Sequence, residues 1–90
     1  GTYQMVNARE IYEFTDTCSL MEMDIIVNGE QMTIPVIFYQ DDGSTFCPSD
    51  WQGLPANFGP EHIDHVTWID LYTGKPAIML DGLPRHFAVV

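Results

Sequence analysis

Positive charge is what this chain has least of. Of 90 residues, only Arg9, Lys75 and Arg85 carry a fixed cation, against thirteen Asp and Glu, for a formal net charge of -10. Duplex affinity rests on Lys and Arg contacts to phosphate, so this balance argues against nucleic acid as a partner. Anionic membrane surfaces are disfavoured on the same ground. Long apolar runs are missing too: nothing approaches the ~18 residues of a membrane span, and no basic segment precedes an apolar stretch as in an export signal. Cysteine occurs twice, at Cys18 and Cys47, whereas small secreted scaffolds carry four or more. A reducing, cytoplasmic setting is the expectation. Glycines such as Gly53, Gly59, Gly74 and Gly82 stand singly, as turn residues rather than a phosphate-cradling loop.

What is present is enough to fold. Hydrophobic residues make up 46% of the chain, aromatics 12%, and a disordered acidic segment lacks that content. The length suits one domain over 1–90. Met5-Val6-Asn7 reads like a natural start, which makes residues 1–4 a candidate tag remnant or disordered lead. Cofactors are not expected.

The strongest local signal lies between Leu20 and Tyr39. Asn28-Gly29 suits a two-residue type I′ turn, because both positions tolerate positive φ. Folding there sets Val27 against Glu30, Ile25 against Met32, Met23 against Ile34 and Met21 against Val36. Asp24 then meets Thr33 and Glu22 meets Pro35. One set is apolar and the other mostly polar, which predicts an antiparallel hairpin with one face buried. Pro35 lacks an N–H on the side away from the first strand, so the second strand is expected to be an edge there. Further on, His65–Tyr72, Pro76–Leu80 and Leu83–Val90, joined at Thr73-Gly74 and Asp81-Gly82, predict a three-stranded meander. Asn7 followed by Glu10 matches a helix start and predicts a short helix from Ala8 to about Phe14. Residues 40–64 are rich in turn chemistry and predict a long central loop. Helical turns beginning at Ser49-Asp50 and at Pro60 would shorten it. The expected fold is α+β: about five mostly antiparallel strands, one short N-terminal helix and that loop.

Candidate chemistry is sparse. Cys18, Cys47, His62 and His65 form a weak Cys₂His₂ set: the two histidines share a helical face, but the cysteines stand far apart, unlike the close pair of structural zinc sites. Cys47 as a nucleophile, with His62 or His65 as base and Asp64 or Asp50 as orienter, finds no cation nearby to favour its thiolate. Ser44 and Ser49 lack the Gly-x-Ser-x-Gly elbow. Asp41-Asp42-Gly43 lacks the spaced acids and terminal Glu of a calcium loop. No enzyme is therefore expected.

The acids run from Glu10 to Asp81 without forming a block, as on a folded acidic surface rather than a tail. Glu22 and Asp24 share the outer face of the hairpin, and Asp41, Asp42 and Asp50 lie in the loop beside Trp51. Trp is enriched at binding hot spots, and acidic neighbours steer a basic partner. These six residues form the expected contact surface for a basic protein. In size and charge the chain is similar to toxin-immunity proteins and phage-encoded inhibitors of nucleic-acid enzymes, although no motif is shared. The alternatives are a structural subunit of a phage or secretion particle, docking or oligomerising through a strand edge, and a metal- or thiol-dependent enzyme.

Overall fold

A computed structural model describes residues 3–50, 54 and 57–86. The N-terminal segment is strand, not helix: β1 spans Tyr3–Thr15 and pairs antiparallel with β2, Cys18–Val27. The helix signal at Asn7 and Glu10 is local and short, and isolated helices of that length are marginal. Val6, Ile11, Tyr12, Phe14 and Thr15 are strand formers, and β2 offers pairing along most of the segment. Asn7 takes its place opposite Asp24, while the Glu10 carboxylate accepts the Ser19 hydroxyl at 2.7 Å. The α+β expectation is thus overturned. The helical element among the described residues is a 3-10 turn, Pro60–His65, and the strands all pair antiparallel.

Five strands form one sheet in the order β1-β2-β3-β4-β5, with β3 at Glu30–Tyr39, β4 at Thr45–Pro48 and β5 at Trp68–Asp70. A separate hairpin joins β6, Ala77–Leu80, to β7, Leu83–His86. The expected β2–β3 register is the one found, from Val27↔Glu30 to Cys18↔Tyr39. Its turn residues sit at positive φ, Asn28 at 53° and Gly29 at 81°, and Asp81-Gly82 repeats this at 54° and 79°. The predicted meander is looser than expected. The strand foreseen from His65 to Tyr72 shortens to Trp68–Asp70, because the chain before it is wound into the 3-10 turn. A single Ile69↔Pro76 bridge links β5 towards β6. Residues 87–90 of the last predicted strand lie outside the described residues.

The long central loop is divided by β4, which sequence reading did not foresee. Its four residues, ending on Pro48 and flanked by Gly43-Ser44 and Ser49-Asp50, are too few to show a period. Pro35, read as marking an edge, lies on a strand that is interior further along, but at Pro35 itself, among the described residues, β3 pairs with β2 alone. The β3–β4 ladder holds Ile37↔Phe46 and Phe38↔Thr45. Extended in the same register it would set Pro35 against Pro48, and neither has an N–H to donate. Pairing therefore stops before that point. β1 is one of the sheet's two outer strands, and register shifts at Val6, Ile11 and Phe14 interrupt its ladder with β2. Such bulges twist an edge away from further pairing.

The sheet buries opposite faces at its two ends. On the face shared by Cys18, Leu20, Ile37, Tyr39, Phe46 and Trp68, these residues pack under Ile63 of the 3-10 turn, Phe58, Ala77 and Leu83. On the other face, Met23, Ile25, Ile34, Val36 and Cys47 form a second cluster with Met21, Met32 and Ile69. Buried positions along β2 change phase between Leu20 and Met23, although the β2–β3 register is unbroken. Two buried polar contacts seal the first cluster. The Tyr39 hydroxyl donates to the Pro84 carbonyl at 2.5 Å, and the Trp68 indole N–H donates to the Ile63 carbonyl at 3.0 Å.

Candidate functional site

The expected contact residues do not form one surface. Glu22 and Asp24 do share a face of β2, but Arg9 of β1 lies across both. Its Nε meets Glu22 Oε1 at 2.9 Å, and its Nη1 meets Asp24 Oδ2 at 3.2 Å. Asp24 also accepts the Thr33 hydroxyl at 2.7 Å. The Thr33 hydrogen bond, then that of Arg9, holds the Asp24 carboxyl below the usual carboxylate range, and Asp24 in turn raises the Arg9 guanidinium. One of the two local negative charges is thereby offset within the fold. The sequence hides this pairing, because its Asn7 and Glu10 signal predicts a helix over Arg9 where the fold has a strand opposite Glu22.

Asp41 and Asp42 lie in the β3–β4 turn, four to six residues of strand away from Glu22 and Asp24, roughly 13–20 Å at ~3.3 Å per residue. The Ser44 N–H donates to Asp42 Oδ1 at 2.9 Å, and this bond lowers the Asp42 pKa. Asp50 is exposed beyond the opposite end of β4, on a pocket of about 260 Å³ also lined by Ser49, Leu54, His65 and Thr67. Trp51 lies outside the described residues.

What the fold does assemble is a different acidic group. The β1–β2 turn at Asp16 and the β3–β4 turn at Asp41-Asp42 are neighbours, joined by the Gln40 N–H donating to the Thr17 carbonyl at 2.7 Å. Glu10 and Glu13 occupy the adjoining end of β1. All five side chains belong to exposed residues, and among the described residues none forms an ion pair with Lys or Arg. Beside them opens a pocket of about 210 Å³ lined by Glu10, Thr17, Ser19, Met21, Phe38 and Gln40. Arg85 is stacked on the Tyr39 ring at 4.3 Å.

The weak metal set is dispersed. Cys18 and Cys47 are buried on opposite faces of the sheet, with no disulfide between them, and burial pushes the Cys18 thiol up. His62 accepts the Gly59 N–H through Nδ1 at 3.0 Å, closing the start of the 3-10 turn, and stacks on Phe58. His65 lines the pocket beside Asp50. Among the described residues no three His, Cys, Asp or Glu converge as metal ligands. Phe46 belongs to β4 and is buried, and Phe58 packs edge-on to Trp68.

A second grouping joins residues that sequence reading either set aside or did not consider. His86 of β7 lies between Ser44, in the β3–β4 turn, and Asp70, at the end of β5. Separations of 42 and 16 residues leave no local motif to find. Among the described residues, no helix is long and apolar enough to cross a membrane. No family model matches the chain, and no curated protein or solved structure matches it either.

Proposed function

We propose that the protein is a small acidic binding module, inhibitory in role, whose partner is a basic protein surface. The observation that supports this most is the gathering of Glu10, Glu13, Asp16, Asp41 and Asp42 around two adjacent turns, with no Lys or Arg paired to them among the described residues. Charges left unneutralised at one end of a small domain repel one another and raise the attraction for an oppositely charged partner. The face bearing Glu22 and Asp24 is the weaker candidate, because Arg9 already occupies it. An immunity-type and a phage-type inhibitor share these requirements, as does a cytoplasmic location.

The test is capture of partners from a host extract by the chain and by a variant with Asn or Gln at all five positions. Capture is expected to fall in the variant, and to weaken for the native chain between about 0.1 M and about 1 M salt as the Debye length shrinks from ~10 to ~3 Å. Capture indifferent to both changes refutes the reading.

A second reading, a subunit docking through a strand edge, is favoured by the exposure of Met5, Val6, Ile11 and Tyr12 along β1. Light scattering across concentration tests its self-assembling form, for which a strict monomer is the refuting result.

A further inference from the structure

Ser44, His86 and Asp70 stand in the order that general-base activation of a hydroxyl requires. Ser44 Oγ lies 2.8 Å from His86 Nε2, and His86 Nδ1 lies 3.4 Å from Asp70 Oδ2. Asp70 is held in place: its side chain is 7% exposed, and its Oδ1 accepts the Tyr72 and Thr73 N–H groups at 2.8 and 3.0 Å. The remaining oxygen faces the imidazole. At 3.4 Å this is an electrostatic contact rather than a formed hydrogen bond, and the carboxylate charge favours the tautomer with its proton on Nδ1 and its Nε2 lone pair beside the serine hydroxyl. Phe46 packs against the ring at 4.9 Å, which restricts its rotation. The His86 side chain is 56% exposed and Ser44 is half-buried, so the pair lies at the protein surface.

We propose that Ser44 is an activated nucleophile, with His86 as its general base and Asp70 as the residue that positions His86, taking acyl groups from carboxylic esters of neutral or cationic character. The serine oxygen bonds to the ester carbonyl carbon while its proton passes to Nε2. The bond from that carbon to the alcohol oxygen then breaks, and the alcohol leaves with the proton from Nε2. Water, deprotonated by the same nitrogen, cleaves the seryl ester, releasing the acid and restoring the hydroxyl. Neighbouring Asp41 and Asp42 repel anionic acyl groups. The nearest backbone donors are committed, the Ser44 N–H to Asp42 and the Gly43 N–H to the Tyr39 carbonyl, which leaves neither to hold an oxyanion. The expected acceleration is that of general-base catalysis alone, ~10²–10⁴-fold. This activity goes beyond the binding reading and does not depend on it.

The experiment is labelling with a neutral fluorophosphonate probe, followed by peptide mapping and rate measurement on the native chain, S44A, H86Q and S49A. One adduct on Ser44 is expected. It should be lost in S44A, unchanged in S49A, and formed about 100-fold more slowly in H86Q, whose circular dichroism should match the native chain. Absence of an adduct on Ser44, or equal rates at Ser44 and Ser49, overturns the proposal, as does native-rate labelling of a folded H86Q. Should H86Q fail to fold, the Ser44-to-Ser49 rate ratio in the native chain decides the matter.

Discussion

If both ends of β2 are buried on opposite faces, shortening Leu20 should destabilise the protein as much as shortening Ile25. Both are fully buried, at 0% exposure, yet they differ in strand parity and belong to different clusters. Truncating a buried Leu or Ile to Ala costs about 2–5 kcal/mol, through lost transfer energy and the cavity left behind. For a chain of this length the total stability is roughly 5–13 kcal/mol, so each change removes a large fraction of it. The two positions are five residues apart, roughly 16 Å along the strand. Their effects should therefore add to within ~0.5 kcal/mol in the double variant. Urea unfolding followed by tryptophan fluorescence measures all three, since Trp68 is 2% exposed in the native state. A Leu20→Ala cost below ~1 kcal/mol beside an Ile25→Ala cost near ~3 kcal/mol would refute the reasoning. It would mean that the sheet has only the single buried face that its hairpin pattern suggests.

Two further outcomes follow from individual contacts. Tyr39→Phe leaves the buried Pro84 carbonyl without its donor, which should cost about 1–3 kcal/mol. Amide exchange should also speed up in β6 and β7, and unchanged exchange there would show that the hydroxyl does not anchor the hairpin. Asp24 and Asp42 have pKa values lowered in the fold, by Thr33 and Arg9 and by the Ser44 N–H respectively. Their contribution is therefore present above the unfolded carboxylate value near ~4 and lost as pH falls through the lower folded value. In thermal melts from about pH 6 to about pH 2, the D24N and D42N variants should lose stability less steeply than the native chain. Identical slopes would contradict the assigned contacts.

The β2–β3 hairpin is legible in the sequence because Asn28-Gly29 and the alternating Met and Ile residues point to the same register. β1 is not, since its bulges at Val6, Ile11 and Phe14 break strand alternation and leave Asn7 and Glu10 to imitate a helix start. The cluster built on Cys18, Leu20, Ile37 and Tyr39 is hidden for a related reason: its parity is opposite to that of the hairpin tip, so a single pattern cannot show both. The hairpin register places Glu22 and Asp24 on one face, whereas the acidic residues of the turns are countable in the sequence but not locatable. Their grouping depends on which turns meet at one end of the sheet, and the partial offset of Glu22 and Asp24 depends on a strand placing Arg9 opposite them. Ser44, His86 and Asp70 come together only through the packing of β7 against the sheet.

The change of buried face along β2 also bears on misfolding. Sliding β2 past β3 by one residue would turn Leu20 and Ile25 towards the wrong sides together, exposing apolar groups at both ends and pressing Glu22 and Asp24 inward. In a sheet with one buried face, such a slip could be eased by re-covering that face. Here no single covering layer repairs both ends, so mispaired intermediates should be short-lived, and the Asn28-Gly29 turn has little competition in setting the alignment.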